Sequence, residues 1–402
     1  MEGDASQPTL AALDASLLLR VEVMEDRIAR VSIHRGRPVQ AARVLEGRSV
    51  ESALETLPYL YRLCGIAQGV AGLRAVEAAF DCGPGPGGRA ARSLLVALEA
   101  LEQILWRILL DWPRCAGGRA DEDALKAFRK RLSGLQRGVF ADSQWNRLGG
   151  AHVNRNTEAL AGAVESLIRD VDEHLFGVAR SEEVFRSSGD FDAWIRGGSS
   201  PTAAVFDWLV SNQLEGFGGV GIQPADGFDT EYVSARVARD DAWEYCGQPD
   251  HHGEVRQTGA LERLANAPLV RELHGKYGYG LLTQLAARFL EVPTLLGDIR
   301  EQIRALAHEE VPDIRVTSTG RALGSVDTAR GRLFHWVEVC DGRIARYRTL
   351  APTEWNLHPR GPLAQGLAGS PVKDLSITRR AVDLFVTAID PCVDVQIEIA
   401  EA

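Results

Sequence analysis

Two cysteine-containing turns at opposite ends of the chain constrain the fold most strongly. Asp390, Pro391 and Cys392 lie almost at the C-terminus, whereas Cys64 and Gly65 lie far upstream, near the N-terminus. Pro391 restricts its own φ and favours an extended Asp390, so this turn can present a thiol and a carboxylate in a fixed relation. Gly65 permits a sharp change of direction after Cys64. We therefore expect a fold that brings Cys64 and Cys392 together across most of the sequence.

The residues after Cys64 predict a helix. Val70, Leu73, Val76 and Phe80 recur at helical spacing, which places Cys64 just before the helix N-terminus. Because the positive end of a helix dipole stabilises an anion, this position favours a thiolate at Cys64.

Composition and charge exclude several classes of partner. Of the 402 residues, 45% are hydrophobic and 25% are charged, as in an ordinary globular protein. The formal net charge of −10 provides no overall basic face for nucleic acid or anionic lipid. The N-terminus lacks the charge pattern of a signal peptide, and the most apolar segment, 93–112, is too polar to span a membrane. The six cysteines contain no CxxC pair and indicate no disulfide framework. We expect a cytoplasmic protein without nucleic-acid or membrane partners.

The order of apolar patterns predicts an α+β fold that is mainly helical, in one domain spanning residues 1–402. Apolar runs at 17–23 and 28–34 predict a β-hairpin, and Asp341-Gly342 between two apolar runs predicts another near the C-terminus. Segment 93–112 is apolar nearly all round, which is typical of a central helix. Residues 1–13 indicate a loose leader, and residues 179–257, rich in glycine and serine, indicate an irregular excursion.

Several motifs resemble those of a known family. The sequence RLCG at 62–65 resembles the start of the RxCGxCxxxH signature of nickel–iron hydrogenase large subunits, and DPC at 390–392 resembles the start of their DPCxxCxxH signature. ARGRLFHW at 329–336, DGRI at 341–344, PTEWN at 352–356 and TGALER at 258–263 are similar to further segments of that family. The resemblance implies a hydrogenase large-subunit-like helical core with small β elements near the N- and C-terminal ends.

The two family signatures are incomplete in this chain. Ala67 and Val395 stand where the family has the cysteines that bridge nickel and iron, and Ala71 and Glu398 stand where it has histidines. Neither alanine nor valine has a lone pair to offer a metal. The resemblance therefore implies that no stable nickel–iron centre forms. It points to the non-catalytic accessory branch of the family, of the HupK/HoxV type.

Resemblance to that branch implies a scaffold that assembles or carries the iron–cyanide–carbonyl unit destined for the nickel–iron hydrogenase large subunit. Cys64 and Cys392 match the terminal nickel ligands and are the candidate metal ligands, because two thiolates suit low-spin iron that already carries diatomic ligands. The implied partners are a HypC-like chaperone, a HypD-type scaffold and the immature large subunit. One alternative is a metal-free interaction protein with two inert buried thiols. A hydrogenase-like redox enzyme with an altered metal site is the other.

Four further residues are expected around the thiols. Arg330 matches an arginine that lies over the active-site metal in the family, where a guanidinium could donate hydrogen bonds to a cyanide ligand. A surface or capping arginine is the alternative that fits its spacing equally. Asp390 matches a family carboxylate, with a turn-forming aspartate as the alternative. Glu398 is either a substitute for the family histidine or a solvated glutamate, and Arg62 belongs to the first signature. A buried Arg330–Asp390 pair would reconcile the two functional interpretations.

A second group of residues is spaced closely enough in sequence to ligate one metal ion. Cys246, His251 and His252 lie in a loop rich in glycine and aspartate. Adjacent histidines point in different directions unless the backbone bends, so we favour a surface loop without metal.

Overall fold

The computed structural model describes residues 17–35, 41–61, 63–141, 144–150, 152–177, 180–198, 200–219, 221–308 and 318–401. The leader at 1–13 and Arg62 lie outside these residues. The described part is mainly helical and contains two small sheets, one from the chain ends and one near the C-terminus, as the α+β prediction requires. No helix in it is long and apolar enough to cross a bilayer.

The strands form two separate three-stranded sheets. In chain order they are β1 (Leu17–Met24), β2 (Arg27–Arg35), β3 (Gly320–Thr328), β4 (Gly331–Cys340), β5 (Arg343–Leu350) and β6 (Val395–Glu401).

The helices of the described residues vary from a single turn to seven turns. They are α1 (Val50–Leu60), α2 (Gly65–Ala79), α3 (Pro86–Trp106), α4 (Trp112–Cys115), α5 (Glu122–Val139), α6 (Thr157–Val171), α7 (Ser181–Val184), α8 (Ser188–Gly197), α9 (Pro201–Ser211), α10 (Thr230–Val237), α11 (Ala242–Gly247), α12 (Ala260–Leu264), α13 (Pro268–Tyr277), α14 (Leu281–Ala305), α15 (Pro352–Asn356), α16 (Pro362–Leu367) and α17 (Leu375–Ile389). A 3-10 helix at Ala41–Leu45 and π-helical turns at Arg107–Asp111 and Asp172–Phe176 complete them.

The first sheet joins the two ends of the chain. β1 and β2 form the predicted antiparallel hairpin, and β6 pairs in parallel with β1, with Leu17 opposite Val395. The sequence analysis did not predict β6. Because β6 follows Cys392 almost directly, this pairing determines where the C-terminal thiol lies.

The second sheet carries α2 on one face. β3, β4 and β5 are antiparallel, and the predicted turn between β4 and β5 places Asp341 and Gly342 at positive φ. β3, which was not predicted, lies so close to α2 that a Cβ on Gly324 would stand 2.4 Å from the Ala71 carbonyl oxygen. Glycine at 324 therefore permits the contact that brings β4 near Cys64.

Segment 93–112 forms the predicted central helix, although the helix begins earlier, at Pro86. Its leucines and isoleucines are buried on several sides, and α3 packs against α14, α5 and α2. α3 continues without a break through the π-helical turn at Arg107–Asp111 into α4. Such turns insert an extra residue, which changes the direction in which the side chains of that turn project.

The prediction of an irregular excursion at 179–257 is wrong where α7 to α11 form, whereas the described residues at 212–219, 221–229 and 248–257 are irregular as predicted. Ser187 and Ser200 cap α8 and α9 by accepting hydrogen bonds from the backbone. Phe191 and Phe206 pack edge-to-face at 5.1 Å between ring centroids, and Phe206 also packs on Phe289 of α14. The glycines and serines that suggested a loop lie at the ends of short helices, while the aromatic residues between them reach the main core.

The packing of α9 allows a matched test of this correction. Val205 is 2% exposed and Val210 is 37% exposed in the same helix. We expect Val205→Ala to lower the free energy of unfolding by about 1–2 kcal/mol and Val210→Ala by less than about 0.5 kcal/mol, because only the first leaves a cavity. Chemical denaturation of both variants measures the difference. Equal small losses would show that α9 does not pack into the core.

Candidate functional site

Cys64 lies at the N-cap of α2, as the sequence predicted. Its side chain is buried, and the Gln68 side-chain amide Nε2 donates a hydrogen bond to its Sγ at 3.5 Å. Gln68 is one helical turn further along α2, which is the spacing that lets its side chain reach back to the cap.

Cys392 follows α17 and Pro391 and is half-buried. The Thr353 hydroxyl, at the start of α15, donates to Cys392 Sγ at 3.0 Å and accepts the Cys392 backbone N–H at 3.4 Å. Cys64 packs in one apolar cluster with Ala351, which lies two residues before Thr353. Leu63 and Pro391, the chain neighbours of the two cysteines, line the same cavity. The structure therefore places both cysteines in one region of the fold.

The predicted thiolate at Cys64 is wrong. Burial, Cys392 and Glu99 together raise the pKa of Cys64 to about 12, against the opposing effects of Arg330 and of the Gln68 hydrogen bond. The helix N-terminus cannot compensate, because the Glu99 carboxylate accepts the N–H groups of Ile66 at 2.9 Å and Ala67 at 3.0 Å. Cys64 is consequently a neutral thiol in the free protein.

Glu99 is a site residue that the sequence analysis missed. It lies on α3, and burial raises its pKa to about 7 against the two backbone hydrogen bonds and Arg330. The sequence does contain a signal for Glu99, because a glutamate stands out in a helix that is otherwise apolar on nearly every side. The sequence analysis used the polar residues of this segment only to exclude a membrane span.

Asp390 has a conformation that the sequence analysis did not predict. It is the C-cap of α17 with φ 54° and ψ 65°, a left-handed conformation instead of the extended one expected before proline. Its carboxylate oxygens lie 2.7 Å from Arg107 Nε, 2.6 Å from Arg288 Nη2 and 3.5 Å from Arg330 Nη2. Burial opposes ionisation, but the charges of Arg330, Arg107 and Arg288 lower the pKa of Asp390 to about 2. These ion pairs hold a backbone conformation that is otherwise unfavourable for an aspartate.

Arg330 forms the buried pair with Asp390 that the sequence analysis considered. Its Nη1 donates to the Gln103 side chain, while its buried Nε has no hydrogen-bond partner among the described residues. A cavity of about 440 Å³ opens beside this guanidinium and is lined in part by Leu63, Gln103 and Pro391. Leu63 and Pro391 are the chain neighbours of Cys64 and Cys392, but neither of these two cysteines lines the cavity itself.

Glu398 does not lie with the cysteines. It projects from the exposed side of β6 and pairs with Arg20 of β1 at 3.1 Å. Of the two interpretations of Glu398, the solvated glutamate is the one that agrees with this position. Alternation along β6 explains this, because Val395 and Ile397 face the cavity and the residues between them face outwards.

The second cysteine–histidine cluster is also separated by the fold. Cys246 is buried in an apolar cluster with Trp336, whereas His251 accepts the Asp229 backbone N–H and His252 contacts the Asp229 carboxylate at the surface. Within the described residues, no group of three or more His, Cys, Asp or Glu side chains is arranged to hold a metal ion. The interpretation as a surface loop is the one that agrees with these contacts.

Comparisons with known proteins agree with the resemblance found in the sequence. The family model described as nickel-dependent hydrogenase matches residues 280–397. The hydrogenase expression/formation protein HupK of Rhizobium leguminosarum bv. viciae is 30% identical over 382 residues, which cover 92% of this chain and 93% of that protein. The hydrogenase expression/formation protein HoxV of Cupriavidus necator is 29% identical over 378 residues, covering 91% and 92%. The Ni-Fe-Se hydrogenase of D. vulgaris Hildenborough superposes with a TM-score of 0.66 at 17% identity, covering 94% of this chain and 98% of that chain. The large-subunit-like fold is thereby confirmed.

We expect Asp390→Asn to lower the free energy of unfolding by about 3–5 kcal/mol near neutral pH, because it removes the buried negative charge that Arg107, Arg288 and Arg330 share. The folded-state pKa of Asp390, about 2, lies below that of an unfolded aspartate. The stabilisation is therefore complete above about pH 4 and is lost as the pH falls towards the folded value, so wild type and variant converge in acid. Chemical denaturation across this pH range measures the difference.

The matched control is Glu398→Gln, which removes a carboxylate from an exposed ion pair. Its cost should stay below about 1 kcal/mol, since solvent screens such pairs. Similar costs for the two variants would contradict the assignment of Asp390 as the buried ionic centre.

Proposed function

The chain belongs to the family of hydrogenase expression/formation proteins that includes HupK and HoxV, and from this premise we propose that it is a non-catalytic scaffold of hydrogenase maturation. Its cargo would be the iron–cyanide–carbonyl unit destined for the nickel–iron hydrogenase large subunit. The observation that carries the proposal is the position of Cys64 and Cys392 in one region of the fold, near Arg330, whose Nε has no hydrogen-bond partner within the described structure.

Two thiol ligands are suited to a protein that binds an iron unit and then releases it. Thiolate is a good ligand for low-spin iron, and iron that already holds diatomic ligands needs few donors from the protein. Ala67 is buried behind Cys64, and Val395 faces the cavity, so the positions of the family's bridging cysteines contribute no donor. A cargo held by two sulfurs, instead of four, is more readily released to an acceptor protein.

Arg330 is suited to donate a hydrogen bond to a diatomic ligand of such a cargo. A buried donor without a partner costs about 1–3 kcal/mol, so an acceptor placed there would be bound favourably. The nitrogen of a metal-bound cyanide is an acceptor of this kind. The adjoining cavity provides a route from the surface to the guanidinium.

The protonated state of Cys64 lowers the free-energy cost of burying its sulfur. A neutral thiol avoids the desolvation that a thiolate would suffer beside Glu99. Binding of a soft metal unit would displace the proton, so loading would release protons and depend on pH.

The partners that fit this role are a HypC-like chaperone, a HypD-type scaffold and the immature large subunit. A metal-free interaction protein is the alternative favoured by the buried, protonated state of Cys64, because an inert thiol has the same properties.

Infrared spectroscopy of protein purified without oxygen from cells that make hydrogenase tests the proposal. We expect cyanide and carbonyl stretching bands in the wild type and their loss in Cys64→Ala and Cys392→Ala. Cys82→Ala and Cys340→Ala should retain the bands, because those thiols lie in the loop before α3 and at the β4–β5 turn.

A silent spectrum without bound iron would overturn the carrier proposal. If Cys64→Ala also left hydrogenase maturation unchanged in cells, the metal-free interaction protein would be the better account. Hydrogen uptake by the purified chain would instead overturn the non-catalytic role.

A further inference from the structure

A buried chain of hydrogen bonds leads from the interior to Cys64. Gln68 Oε1 lies 2.8 Å from His335 Nε2, and His335 Nδ1 lies 2.8 Å from the Tyr347 hydroxyl. Gln68 comes from α2, His335 from β4 and Tyr347 from β5. Three elements that are distant in sequence thus contribute to one path that ends at the Cys64 sulfur.

Both titratable groups in the path are neutral. Burial lowers the pKa of His335 to about 3, so its imidazole carries a single N–H. Burial also raises the pKa of Tyr347, so its hydroxyl retains its proton. A neutral imidazole donates from one nitrogen and accepts at the other, and the partners determine which nitrogen does which.

The direction of the path follows from the orientation of the Gln68 amide. Its Nε2 donates to Cys64 Sγ, so its Oε1 faces His335 Nε2 and can only accept. The proton of the neutral imidazole therefore lies on Nε2, and Nδ1 accepts from the Tyr347 hydroxyl.

We propose that His335 and Tyr347 are positioning residues, which hold the Gln68 amide with its N–H group directed at the Cys64 sulfur. The sulfur is thereby kept as a hydrogen-bond acceptor, the role that a metal-bound or anionic sulfur requires. This inference deepens the proposed function, on which the use of Cys64 as a ligand rests.

The local packing is built around the path. A Cβ added to Gly72 would lie 2.5 Å from the Tyr347 hydroxyl oxygen and 3.5 Å from His335 Nδ1. Gly72 is one turn beyond Gln68 on α2. The same helix therefore supplies the amide that contacts the sulfur and the space in which the tyrosine hydroxyl meets the histidine.

The tautomer of His335 is the direct test. Long-range ¹H–¹⁵N correlation spectra of protein labelled with [¹⁵N]histidine distinguish an Nε2–H from an Nδ1–H imidazole, and His335→Gln identifies the signals. We expect the Nε2–H form in the wild type. Tyr347→Phe removes the donor to Nδ1, so the spectrum should show a gain of the Nδ1–H form. Tyr245→Phe is the control, because its buried hydroxyl donates to the Asp250 carbonyl, away from Cys64.

The second readout is the rate at which iodoacetamide alkylates Cys64 relative to Cys392, measured by mass spectrometry at one pH. Loss of a hydrogen bond to an anionic sulfur should slow Cys64 by about tenfold in Gln68→Leu and Tyr347→Phe. Cys392 should be unchanged in both variants, and Tyr245→Phe should leave both rates unchanged. His335→Gln should largely preserve the Cys64 rate, since a glutamine amide also offers one donor and one acceptor.

An Nδ1–H tautomer in the wild type would overturn the inference. So would a Tyr347→Phe protein that retains its fold, its tautomer and its Cys64 rate. Neither readout requires bound iron, so failure of the carrier proposal, seen as a silent infrared spectrum, is distinguishable from failure of this one.

Discussion

The buried carboxylate of Asp390 is the interaction on which the rest of the site depends. It joins the end of α17 to Arg107 of the π-helical turn, to Arg288 of α14 and to Arg330 between β3 and β4. Arg107 also pairs with Asp111 and Arg288 with Glu291, so the shared carboxylate adds to these partners and offsets the desolvation of all three guanidinium groups. The same contacts hold the left-handed backbone from which Pro391 and Cys392 follow. The ionic network before Cys392 and the β1–β6 pairing after it thus determine the position of one thiol, whereas the start of a helix determines the other.

The two sulfurs have different surroundings, but both accept a hydrogen bond. Cys64 is buried beside Glu99, which already occupies the free N–H groups of α2, and it receives a hydrogen bond from Gln68. Cys392 is more exposed and receives a hydrogen bond from Thr353. Each sulfur therefore accepts a hydrogen bond from a neighbouring side chain, while burial and nearby negative charge keep Cys64 protonated. Such a site favours a ligand that can displace a proton and supply most of its own coordination sphere.

Much of the architecture was predictable because its signals are local. The hairpin of β1 and β2, the turn at Asp341, the central helix and the position of Cys64 before α2 all follow from periodicity and turn chemistry within short windows. The aromatic core of α8 and α9 was missed, because glycine and serine at the ends of short helices masked the apolar spacing between them. β6 was missed since its pairing partner, β1, is distant in sequence. β3 pairs with the next strand, β4, but its own sequence contains two glycines and few apolar residues, which leaves only a weak local pattern.

The sequence by itself determined which atoms the site can use: two thiols, one carboxylate at Asp390, one guanidinium at Arg330, and no donor at Ala67 or Val395. Only the tertiary structure decided how those atoms behave. It made Cys64 a thiol instead of a thiolate, turned Glu398 to the surface and placed Glu99 on the helix N-terminus. The physical reason is that protonation and orientation depend on burial and on charges a few ångströms away in space, and residues far apart in sequence supply those charges.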